Sequence, residues 1–173
     1  MRDLNEMRDL IGDLLESERL ASPHAALQRE SVDLSALVRE VVSEHAGSAL
    51  VELDLPEALP PRPLDRTRVR LLVRNLLDNA LRYSADAPRP PCISLRAEGN
   101  GVLLEVRDFG PGVDEAQLAH LTEPFYRTDS ARQRATGGVG LGMYLCRLVA
   151  EAHGGKLEVR NAQPGLAITA LLV

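Results

Sequence analysis

Three short segments of this 173-residue chain carry residue types suited to chemistry. In the first, Asn75, Asn79 and Tyr83 are spaced i, i+4, i+8 and share a helix face, with Arg82 beside them. Asparagine is a poor helix former, and a buried amide is costly without a partner. Such a pair either meets a ligand or ties down a neighbouring loop. In the second, Asp108 ends an apolar run and leads into Gly110 and Gly112. Glycines at alternate positions allow positive φ and a close backbone approach to a ligand, although an ordinary turn has the same composition. In the third, Gly137, Gly138, Gly140 and Gly142 run straight into a helix. Backbone N–H groups at a glycine-rich helix start suit an anion such as phosphate. No Gly-Lys-Ser/Thr follows, so this is not a P-loop, and no βαβ unit surrounds it as a dinucleotide fingerprint requires.

These segments need a scaffold, and the apolar pattern predicts one. A helix from Asp65 to Ser84 buries Val69, Leu72, Val73, Leu76, Leu77 and Ala80. Cys92–Ala97 and Val102–Arg107 flank Gly99-Asn100-Gly101 and read as a hairpin. A short helix is expected near residues 115–121. A further helix over Leu141–His153 stops at Gly154-Gly155. Strands over Lys156–Arg160 and Leu166–Val173 follow, joined at Gln163-Pro164-Gly165. Upstream, Ser35–His45 reads as a helix after the short connection 31–34, Leu50–Leu55 as a strand, and the proline-rich stretch 56–63 as a loop. The fold class expected is α+β, a two-layer sandwich of a mixed sheet covered on one face by helices. Residues 4–20 form an amphipathic helix with Leu4, Met7, Ile11 and Leu14 on its apolar stripe. That stripe must pack on the body or on a second copy.

Composition excludes several classes. Hydrophobic residues make up 45% and charged residues 26%, so the chain is not disordered. A formal net charge of -5 gives no general affinity for nucleic acid or anionic membrane. No apolar run is long enough to span a bilayer, and no signal peptide opens the chain. Cys92 and Cys146 are too few for a zinc site or a disulfide framework and read as free thiols in a reducing cytoplasm.

The order of the motifs resembles the GHKL superfamily, and specifically the catalytic ATP-binding domain of sensor histidine kinases. The resemblance covers residues 31–173. It runs from the asparagine box (75–83) through the first glycine box (108–112) and Pro124-Phe125-Tyr126-Arg127 to the second glycine box (138–143). It implies that Mg-ATP binds. Asn79 would give an amide oxygen to Mg²⁺ and Asn75 would support metal and phosphates. Arg82 would face the phosphates and Tyr83 the adenine. Asp108 would accept the adenine amino group, with Gly110 and Gly112 making room for base and sugar. Gly138, Gly140 and Gly142, with Leu141, would close around the phosphates. Residues 113–137 would form a mobile lid anchored by Phe125, and Arg127 would reach the terminal phosphate or stay solvated. In ATP-hydrolysing relatives the residue four before the metal asparagine is a glutamate. Here it is Asn75, which cannot act as a general base, and this favours kinase over ATPase.

One family feature is missing. No histidine of this chain (His24, His45, His120, His153) is followed by the acidic residue and proline that mark the phosphoacceptor helix. Residues 1–22 resemble the second helix of the dimerisation hairpin. The chain therefore resembles a truncated kinase that binds ATP without its own acceptor. Its implied partners are the histidine-bearing hairpin of the parent kinase, a response regulator receiver domain, and a second copy through residues 4–15. A cytoplasmic location is expected, with a parent that is itself soluble or membrane-anchored. The rival readings are a degenerate kinase domain that holds nucleotide, or none, and acts only by docking partners, and a GHKL ATPase or serine kinase.

Overall fold

The computed structural model describes residues 2–22, 26–45, 47, 50–128 and 140–173. In chain order the elements are α1 (Arg2–Ala21), β1 (Glu30–Val32), α2 (Leu34–His45), β2 (Glu52–Asp54), β3 (Arg62–Leu64) and α3 (Arg66–Tyr83). They continue with β4 (Cys92–Glu98), β5 (Gly101–Arg107), α4 (Glu115–Leu118), α5 (Gly142–Ala152), β6 (Lys156–Asn161) and β7 (Leu166–Leu172).

The main sheet has five strands in the order β2-β4-β5-β7-β6. β2 lies parallel to β4 and every other pairing is antiparallel, so the sheet is mixed. Alternation along the strands builds its inner face. Ile93 pairs with Val106, which pairs in turn with Ile168, and all three are buried. The next row is Leu95, Leu104 and Ala170. Over this face lie the aliphatic stripes of α2 (Leu37, Val38, Val41), α3 (Val69, Leu72, Val73, Leu76, Leu77, Ala80) and α5 (Leu145, Cys146, Val149, Ala150). The expected two-layer α+β sandwich is the architecture found.

Three differences from the sequence reading have physical causes. A second, two-stranded sheet pairs β1 with β3, where a connection and a proline loop were expected. Three residues are too few for a readable period, and the pairing comes from the chain returning beside itself. Arg29 Nη1 reinforces it, donating to the Pro63 and Val173 carbonyls at 2.7 and 2.9 Å. Only the end of α1 packs on the body, and its apolar stripe stays open. Ser17 and Leu20 are buried and α1 packs on α5, yet Leu4, Met7, Ile11, Leu14 and Leu15 remain 42–70% exposed. Finally, β2 is shorter than the expected strand over 50–55, because Leu50 lies exposed outside the ladder. Among the described residues no helix is long and apolar enough to cross a membrane.

Candidate functional site

Helix α3 is the axis of the site. Its start is fixed by Asp65, whose Oδ1 accepts the Arg68 N–H at 3.2 Å as an N-cap. The leucines then set the helix rotation, leaving Asn75 and Asn79 half-buried on the flank. The Asn75 Nδ2 is buried with no hydrogen-bond partner. Arg82 is exposed and Tyr83 half-buried in the last turn.

The first glycine segment leaves β5 and folds against that last turn. Gly110 lies so close that a Cβ there would stand 2.3 Å from the Tyr83 carbonyl oxygen. Asp108, 2% exposed, accepts the Gly110 N–H on Oδ1 at 2.9 Å, and its own N–H donates to the Leu166 carbonyl. Burial pushes its carboxyl above the usual carboxylate range, against the backbone N–H groups of Gly110 and Leu166 and the Arg107 guanidinium. Gly112 has φ +71° and turns the chain away from β5.

The second glycine segment meets the middle of α3. A Cβ on Gly142 would stand 3.3 Å from Asn75 Oδ1, so the start of α5 rests on the asparagine face. No side chain caps that start: Leu141, buried, occupies the N-cap position without a side-chain hydrogen bond. Gly140 has φ +86°, and its carbonyl accepts the Phe125 N–H at 3.1 Å. Phe125 itself has φ +63° and is 60% exposed, so this segment is held to Gly140 by backbone and not by its ring. Arg127 is half-buried. Gly138 and most of the second half of the expected lid lie outside the described residues.

Sequence reasoning missed three supports. Asn161, at the end of β6, accepts the Val113 N–H at 3.1 Å and donates to the Val113 carbonyl at 2.7 Å, clamping the exit of the first glycine segment. Phe109 is held between the Arg89 and Arg107 guanidinium groups, 4.7 and 4.5 Å from its centroid. His153 is fully buried and reaches Asp65, although the sequence marks it only as a turn residue. An asparagine at a strand end is the one faint signal among them.

The arrangement thus holds a buried carboxylate, an unpartnered buried amide N–H and an uncapped helix start around one helix. The first suits an N–H donor such as an exocyclic amine, and the last suits an anion. These features fit an adenine nucleotide. Among the described residues no three His, Cys, Asp or Glu side chains cluster as a metal site. The half-buried Asn79 amide would offer Mg²⁺ an oxygen of the hard type that ion takes.

Comparison with known proteins agrees with this geometry. A family described as histidine kinase-, DNA gyrase B-, and HSP90-like ATPase matches residues 64–172. The alginate biosynthesis sensor protein KinB of Pseudomonas aeruginosa is 35% identical over 161 residues, covering 90% of this chain and 26% of the relative. Sensor histidine kinase YkoH of Bacillus subtilis is 36% identical over 165 residues, covering 92% and 34%. Among solved structures, full-length ShkA in complex with AMPPNP superposes with a TM-score of 0.79 at 25% identity, over 99% of this chain and 37% of that one. The histidine kinase domain of the E. coli osmosensor EnvZ gives 0.63 at 32% identity, over 83% and 87%. The chain spans 26% and 34% of the lengths of KinB and YkoH. Because the family match takes in α3, both glycine segments and four of the five strands of the main sheet, the chain belongs to the histidine kinase-, DNA gyrase B- and HSP90-like ATPases.

Proposed function

We propose that this chain is the ATP-binding catalytic part of a two-component sensor histidine kinase, with residues 1–22 the remnant of a dimerisation hairpin and residues 31–173 the catalytic domain. The observation that carries the reading is the seat of Gly142 against Asn75, which brings an anion-suited helix start onto the asparagine face of α3. Asp108 and the Tyr83–Gly110 contact lie at the end of the same helix and would receive the adenine and sugar, with Gly112 leaving room beside them. Asn75, Asn79 and Arg82 would hold the metal and phosphates, and Gly138, Gly140, Leu141 and Gly142 would close over them. Arg127 would approach the terminal phosphate, and Phe125 would mark the lid.

The reaction transfers the γ-phosphoryl group to a histidine on the parent's hairpin. The P–O bond to ADP breaks, a P–N bond to the imidazole forms, and the imidazole proton leaves to solvent. Mg²⁺ supplies neutralisation of phosphate charge. The chain's own residues position the nucleotide and exclude water, which is most of what phosphoryl transfer requires. An amide at position 75 cannot take a proton from water, so the site suits holding ATP until the acceptor arrives. A receiver domain would then take the phosphoryl group, in the cytoplasm. The exposed stripe at 4–15 would pair with a second copy.

Calorimetric titration with AMPPNP, with and without Mg²⁺, tests the reading. Mg²⁺-dependent binding that weakens in both Asn79→Ala and Asp108→Ala is the expected result. A folded chain that binds no nucleotide would leave a docking module as the better account.

A further inference from the structure

Helices α3 and α5 run antiparallel, with the start of α5 at the middle of α3 and the end of α5 at the start of α3. At the near end Gly142 rests on Asn75. Midway, the Cys146 thiol donates to the Leu72 carbonyl at 3.7 Å. At the far end, the Asp65 backbone N–H donates to His153 Nε2 at 3.1 Å. Ten residues separate Asp65 from Asn75 and eleven separate Gly142 from His153, so the two ends lie about 15 Å apart along the axes at 1.5 Å per residue. Gly142, Cys146, Val149 and His153 share one face of α5 at helical spacing.

Apart from the Cys146–Leu72 hydrogen bond, the core between these ends is aliphatic: Leu72, Leu76, Leu145 and Val149 are fully buried, and hydrophobic burial is non-directional. The bond at the far end is directional. His153 Nδ1 faces the Val149 carbonyl at 2.8 Å, an acceptor only, so the ring proton sits on Nδ1 and Nε2 is left as the acceptor for Asp65. Asp65 is itself tied in three directions. Its carboxylate accepts the N–H groups of Gln28 and Arg68 and lies 3.7 Å from Arg68 Nε, which in turn pairs with Glu16 of α1 at 3.1 Å.

We propose that His153 is a positioning residue for the nucleotide site: by locking the far ends of α3 and α5 together it fixes the register that seats Gly142 on Asn75. This rests on the nucleotide reading of the site. It assigns to a buried histidine, remote from the site residues, a part in binding that no contact with nucleotide gives it.

The test compares wild type with His153→Phe, which fills the space without an acceptor, and His153→Gln, which restores an acceptor and a donor. Lys156→Gln, at an exposed position of β6, serves as the control. Amide hydrogen exchange over 141–146 is followed in the free chain, and AMPPNP with Mg²⁺ is titrated calorimetrically. In His153→Phe, exchange should rise over that segment and affinity should fall roughly 10-fold or more, with His153→Gln between it and wild type. A folded His153→Phe with wild-type exchange or wild-type affinity would overturn the proposal. If wild type itself binds no nucleotide while the exchange effect is present, the kinase reading falls and the register lock stands. Should His153→Phe not fold, a pH titration of folded wild type decides. Resonances of the Gly142 amide and the Asn75 side chain must move with the imidazole's midpoint, and their failure to move overturns it.

Discussion

Gly165 lies directly on Asp108: a Cβ there would stand 2.0 Å from the Asp108 carbonyl oxygen and 2.8 Å from Oδ1. The β6–β7 turn is therefore the back wall of the carboxylate. Gly165 also has φ +81°, which an L side chain adopts only with strain. Gly165→Ala should cost at least about 2 kcal/mol in urea unfolding, since strain and a backbone clash coincide. It should also weaken adenine nucleotide binding more than a turn substitution at Gly99, which has open space around it.

Burial opposes the charge on Asp108. Its carboxyl therefore lies above the usual range. A folded-state value raised above the unfolded one means that the folded chain binds the proton more tightly. The carboxylate's ionisation then subtracts from stability as pH rises through the range between the two values and above. Asp108→Asn keeps an oxygen for the Gly110 N–H and removes the charge. The free variant should melt higher than wild type at pH 7 by calorimetry, while binding AMPPNP less tightly. A lower melting temperature would show the charge to be stabilising where it stands.

Asn161 closes two hydrogen bonds on the Val113 backbone and a third, at 3.2 Å, to Glu115. Its removal leaves a half-buried N–H and C=O without their partner. Asn161→Ala should cost about 1–3 kcal/mol, and amide exchange should rise at Val113 and its neighbours while α3 keeps its protection. Unchanged exchange at Val113 would mean that β6 does not hold this segment.

The imidazole of His153 gives the chain an acid limit of its own. Burial lowers its affinity for a proton below the ordinary 6.5, the Val149 carbonyl and Asp65 push the other way, and Arg29 and Arg68 add to the lowering. Arg68 is in turn paired with Glu16. The folded value lies below the unfolded one, so this contribution to stability is complete above about 6.5 and is lost as pH falls through the interval beneath it. Melting temperatures taken from pH 8 to pH 5.5 should decline in wild type, and the decline should be shallower in His153→Phe.

What could be read from the sequence was local. Asn75 and Asn79 announce themselves by helical spacing within five residues, and Asp108, Gly110 and Gly112 by a strand running into a loop. The structure brings these segments together around α3 as the motif order implied. The supports were illegible because their partners are distant. Asn161 meets Val113 across 48 positions and His153 meets Asp65 across 88. A histidine ending an aliphatic helix looks the same in sequence whether its ring enters solvent or caps a neighbouring helix. The β1–β3 pairing was hidden for a related reason, since neither three-residue segment has a period and Pro63 argues against a strand.

Both borders of the main sheet resist extension. The border strand β6 exposes Lys156, Glu158 and Arg160 in alternation, and β2 offers three residues that include Glu52 and Asp54. Charge on one rim and brevity on the other discourage a foreign strand from joining the ladder. Copies of this chain crowded together therefore have little means of polymerising through their backbones. The sheet stays inert at concentrations where a smooth apolar rim would seed fibres.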